Sequence, residues 1–233
     1  RGGYFTSIAA LFAFACLVLD QILLGATFNQ TQPVWELLAW GAFAMILADG
    51  YRLPLLRVFG LALLAAFVGA LIASRAGDYW QNFLDRPEGL LPAGVLLLAL
   101  RLIVTRRWRP EFAAIDRVLG LIFLLFPMLI LSIENLSYLP FDPAPIKIGY
   151  QLLGFAVSAG AIALGVARRF RDFVYCGALF FVVFLYVKFA QWWWDWMPKY
   201  LFFLIVALTA MGVLWALKRL RAVVTVGPLE AES

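Results

Sequence analysis

Eight apolar stretches, each long enough to cross a bilayer, are joined by turns whose positive charge alternates from one side to the other. A helix rises 1.5 Å per residue, so about 20 apolar residues cross roughly 30 Å of hydrocarbon. The pattern predicts spans over residues 4–27, 33–49, 54–74, 90–105, 112–132, 148–167, 173–191 and 199–217. The second and fourth are the shortest, and the fourth carries Arg101. Unpaired backbone N–H and C=O groups are too costly in lipid, so the spans must be helices. The expected fold is therefore all-α: a polytopic transmembrane bundle of about eight spans over 1–222, with a cytoplasmic tail over 223–233.

Charge sets the expected orientation. Of the 19 Lys and Arg residues, fourteen lie at the start, in the second, fourth and sixth turns, or after the last span. Only Arg75, Arg86, Lys147, Lys188 and Lys199 belong to the other side. Cytoplasmic loops collect Lys and Arg, which places both termini in the cytoplasm. The net charge of +5 then reflects topology and contact with anionic headgroups, and nucleic acid is not an expected partner. At 64% hydrophobic and 14% charged, the chain has too few polar residues to clothe a soluble globule of this size. It opens Arg1-Gly2-Gly3 without Met, so a cytoplasmic segment is expected to precede the first span. That span contains Asp20 and is too long for a cleaved signal peptide.

The chemistry available is narrow. No histidine occurs, so His-ligated haem, zinc–His sites and Ser–His or Cys–His nucleophilic pairs are excluded. Cys16 and Cys176 lie at different depths and have no metal-ligand spacing. No cofactor, metal site or catalytic constellation is expected.

Two groups of residues are candidates for a functional site. Asp20 and Lys188 fall about 24 and 22 Å from the inner ends of their spans, at matching depth, and an Asp20–Lys188 ion pair is expected. Ala9, Ala13, Cys16 and Asp20 form a small, polar stripe expected to face other helices. The second group lies at the outer headgroup level: Tyr79 and Trp80, with Tyr138 and Phe141, and the corner Trp192, Trp193, Trp194, Asp195 and Trp196 before Pro198. Trp and Tyr anchor spans at interfaces, but four Trp within five residues exceed what anchoring demands. That corner is read as a surface for a lipid or a periplasmic-facing protein. The other charges look blander. Glu36 and Glu134 are expected at outer ends, Asp49 and Asp116 at inner ends near water, and Arg57, Arg101 and Arg117 to snorkel to headgroups. Pro127 should kink the fifth span. Ala65, Gly69 and Ala73, and likewise Ala156 and Gly160, read as small-residue seams for close helix contact. A short echo, Gly69-Ala70-Leu71 against Gly177-Ala178-Leu179, hints at a parallel four-plus-four repeat.

The stretch 167–221 resembles the C-terminal end of a family of uncharacterised bacterial polytopic inner-membrane proteins, often encoded beside a membrane-anchored protein with a GDYxxLxY motif. The matching positions are Trp194, Asp195, Pro198, Lys199, Tyr200, Leu201, Phe202 and Phe203, within about a quarter of the chain. The resemblance implies a bacterial inner-membrane location and a membrane-anchored or periplasmic-facing protein partner, and carries no catalytic residues. The leading expectation is a non-enzymatic membrane protein that binds a partner or membrane lipids through its outer aromatic loops. The alternatives are a secondary, ion-coupled carrier using Asp20 and Lys188, and a lipid-modifying enzyme using Glu36, Asp78 or Glu134.

Overall fold

The structure is a computed structural model that describes residues 2–28, 34–75, 85–104, 110–134, 136–138, 140, 142–193 and, further on, 201, 204–205, 207–209, 211–212 and 215. Among these residues the fold is all-helical. The helices are α1 (Gly2–Thr27), α2 (Trp35–Tyr51), α3 (Pro54–Arg75), α4 (Leu91–Ala99), α5 (Ala113–Ile133), α6 (Pro143–Arg168) and α7 (Arg171–Trp193). A 3₁₀ turn over Pro87–Leu90 leads into α4, and a π turn over Leu100–Val104 follows it. Among the described residues, five helices are long and apolar enough to cross a membrane: Phe5–Thr27, Pro54–Arg75, Ala113–Ile133, Pro143–Arg168 and Arg171–Gln191.

The chain forms two compact units, Arg1–Pro127 with Leu136–Tyr138, and Met128–Asn135 with Leu139–Ser233. The division falls inside α5 at Pro127, which continues as helix and is buried.

In the first unit α2 and α3 form a tight hairpin. Arg52 ends α2 in the left-handed region, at φ 54° and ψ 47°. Leu53 donates its N–H back to the Ala48 carbonyl at 3.1 Å, closing the six-to-one bond of a Schellman cap. The second unit repeats this device between α6 and α7. Arg169 has φ 56°, and Phe170 donates to the Gly165 carbonyl at 2.8 Å. A left-handed arginine costs about 1 kcal/mol relative to glycine, but its charge at a helix C-terminus recovers about 0.3–1 kcal/mol from the dipole. The two turns stand at corresponding places in the two halves of the chain.

The seams are only partly those the spacing predicts. Ala65, Gly69 and Ala73 are buried on α3, with Gly69 so close to Gly89 that a Cβ there would lie 3.0 Å from the Gly69 Cα. On α6, however, Ala156 and Gly160 are exposed, and a Cβ at Gly160 would meet nothing. The buried stripe is Gln151, Gly154, Ser158, Ala161 and Gly165 instead, two residues earlier in helical phase. On α1 the expected stripe is likewise displaced. Ala9, Ala13, Cys16 and Asp20 are exposed, while Ala10, Phe14, Leu17 and Val18 pack in the core and the Trp40 indole donates to Gln21. Small side chains let helices approach, but the larger apolar ones decided which face was covered.

Gly94 joins α4 to α5 at backbone distance. A Cβ there would lie 2.7 Å from the Leu124 amide nitrogen and 3.0 Å from the Gly120 carbonyl oxygen. Main chain cannot rotate away as a side chain can, so Gly94→Ala is expected to destabilise the first unit by about 1–3 kcal/mol. Thermal unfolding in mild detergent checks this, and a change under about 0.5 kcal/mol would refute the packing argument.

Candidate functional site

Four consecutive helices of the first unit each send one charge to a common point: Asp49 from α2, Arg57 from α3, Arg101 from the π turn after α4, and Asp116 from α5. Local structure explains the first pairing. The Schellman turn reverses the chain within a few residues, so the last turn of α2 lies beside the first turn of α3. The Arg57 Nη1 donates to Asp49 Oδ1 at 3.0 Å. The same guanidinium grips Asp116 with two parallel bonds, Nε to Oδ1 at 2.9 Å and Nη2 to Oδ2 at 3.0 Å. This fork geometry is the strong form of the interaction, and lysine could not reproduce it. Arg101 approaches the same carboxylate, with Nε 3.9 Å from Asp116 Oδ2. The Arg57 guanidinium also lies 5.4 Å from the centre of the buried Phe112 ring.

Burial makes this cluster consequential. Asp116 is 2% exposed and Arg101 5%. Two cations and two carboxylates sum to zero, which is the condition for placing such groups away from water. The expectation that Asp116 meets water, and that Arg57 and Arg101 snorkel to headgroups, is therefore corrected: both arginines face the buried Asp116 inside the protein, while Asp49, 27% exposed, stands at the edge of the cluster. Beside them is a partly open cavity of about 280 Å³. The four charges line it together with Met45, Leu61, Leu64, Ala65, Val68, Ala93, Leu96, Leu97, Leu100 and Phe123.

A second polar tie lies in the same unit. Glu88 in the 3₁₀ turn accepts from the Ser137 hydroxyl and from the Tyr138 N–H at 2.9 Å, while the Arg86 guanidinium stacks 4.6 Å from the Tyr138 ring centre. Tyr138 is thus held by neighbouring charge. In the second unit, Lys188 donates to Gln151 Oε1 at 2.8 Å. Gln151 Nε2 and Ser158 Oγ are buried there with no hydrogen-bond partner.

Of the residues singled out from the sequence, Asp20 is exposed on α1 in the first unit, and Lys188 belongs to the second. Trp192 and Trp193 close α7. Tyr79, Trp80, Trp194, Asp195 and Trp196 lie outside the described residues, as do Asp78 and Phe141. Glu36 stands in the first turn of α2 with Oε2 buried and unpartnered, and Glu134 is exposed just past α5. Among the described residues no three His, Cys, Asp or Glu side chains group as metal ligands. The four-charge cluster was missed by sequence reasoning. Its one legible signal was that opposite charges, Asp49 and Arg57, flank a single short turn. No protein-family model matches this chain, and comparison with curated proteins and with solved structures gave no significant match.

Proposed function

We propose that this chain is a non-enzymatic, multi-pass protein of the bacterial inner membrane that works by binding a membrane ligand or a protein partner. In this reading it crosses the bilayer eight times, with both termini in the cytoplasm. The alternation of Lys and Arg supports the orientation, and the five long apolar helices support the membrane location.

The observation that carries the binding role is the cavity beside the neutral four-charge cluster. Ligand sites are concave and mostly apolar, with a few convergent polar groups, and this one has that make-up. Its carboxylates are engaged by arginines, which suits recognition better than acid–base chemistry. The outer corner at Trp192–Trp193 and beyond remains the surface for a membrane-anchored or periplasmic-facing partner, on the strength of the sequence.

A carrier is the second reading. It has one specific observation in its favour: the buried, unpartnered amide nitrogen of Gln151 beside Lys188, a polar spot of the kind that lines ion paths. Native mass spectrometry of protein gently extracted from its own membrane separates the two. A binding protein retains a stoichiometric lipid or polypeptide. A bare chain, together with ion-driven solute flux abolished by Lys188→Met, would replace the binding role with the carrier.

A further inference from the structure

We infer that the cavity in the first unit takes one acyl chain of a zwitterionic aminophospholipid, of the phosphatidylethanolamine type, with its headgroup at the Asp49–Arg57 pair. This rests on the binding role proposed above and names its ligand.

The length of the cavity points to an acyl chain. Its charged residues gather at one end, and its α3 wall runs from Arg57 to Val68, about 16 Å at 1.5 Å per residue. Half of a 30 Å hydrocarbon layer is about 15 Å, so the apolar wall is as deep as one leaflet. A water-soluble solute would leave most of this wall unmatched. A volume of about 280 Å³ is at the small end for a ligand site and leaves no room for a second chain.

The unused hydrogen-bonding capacity points to the headgroup. A guanidinium has five N–H donors. Arg57 commits three, two to Asp116 and one to Asp49, which leaves two. Asp49 accepts through Oδ1, and its Oδ2 has no hydrogen-bond partner among the described residues. The open groups are thus two donors on a cation and one oxygen on an adjacent anion, bridged by a 3.0 Å bond. A phosphate paired with a primary ammonium satisfies both signs at once. A purely anionic headgroup would satisfy Arg57 but crowd Asp49.

The test uses the full chain in nanodiscs of equal phosphatidylethanolamine and phosphatidylglycerol, followed by detergent exchange and quantitation of retained lipid by native mass spectrometry. One phosphatidylethanolamine per chain is expected, with a preference of about tenfold, the size of one charge-assisted hydrogen bond. Asp49→Asn keeps an acceptor for Arg57 but gives the cluster a net positive charge, so the preference should vanish or reverse to phosphatidylglycerol. Leu97→Trp fills the apolar wall without touching the charges and should abolish retention of both lipids. Retention of phosphatidylglycerol by the unaltered protein, an unchanged preference in Asp49→Asn, or undiminished retention in Leu97→Trp would each overturn the assignment. A polypeptide held in place of any lipid would overturn it too, while leaving the binding role standing.

Discussion

Arg57→Met is expected to destabilise the first unit by about 3–5 kcal/mol, more than any other single change at the cluster. The arginine is the hub: it bonds to both carboxylates, and only Arg101 remains near Asp116 once it is gone. The loss leaves a net negative charge at the cluster, where Asp116 is 2% exposed. Most of the penalty is that uncompensated charge and not the intrinsic worth of the pair. The double variant Arg57→Met, Asp49→Asn leaves Arg101 opposite Asp116 with no net charge, and should therefore recover most of the stability. Thermal and SDS unfolding of the three proteins measure both effects. A single variant within about 0.5 kcal/mol of the parent would mean that water reaches the cluster freely.

Gly154→Leu should disrupt the second unit almost as strongly. The Phe184 ring is fully buried and lies directly over Gly154, where even a Cβ would overlap it. Phe184 is further held by Phe155, with ring centres 5.7 Å apart. Overpacking of this kind costs about 1–3 kcal/mol and at times more, because helices must separate or the ring must leave its rotamer. Trimming the ring as well, in Gly154→Leu with Phe184→Ala, should restore much of the loss. If the double variant is no more stable than Gly154→Leu alone, the clash is not the cause.

How far the molecule could be read from its residues varied with the interaction that fixed each part. Helix placement was legible because apolar length is a property of contiguous residues. The expected spans 54–74 and 112–132 differ by a residue or so from α3 and α5. The start of α6 was missed by five residues. Pro143, at the first helical position after Asp142, begins the helix instead. Face assignment was less legible, since Ala156 and Gly160 match the small-residue pattern as well as Gly154 and Ser158 do. What separates them is a Phe184 ring thirty positions away in sequence. The cluster was the least legible part. Asp116 meets Arg57 across 59 residues, and each charge taken singly resembles an ordinary helix-end residue.

The arrangement of the four charges also bears on how the chain enters the bilayer. Each charge alone makes its helix dearer to transfer into lipid. Taken as successive hairpins, however, α2–α3 carries Asp49 with Arg57, and α4–α5 carries Arg101 with Asp116. Each hairpin thus holds its own neutral pair. The bidentate Arg57–Asp116 bond forms only when the second hairpin docks on the first. In the eight-span reading proposed above, insertion in two-helix steps would close this cluster when the second hairpin docks on the first.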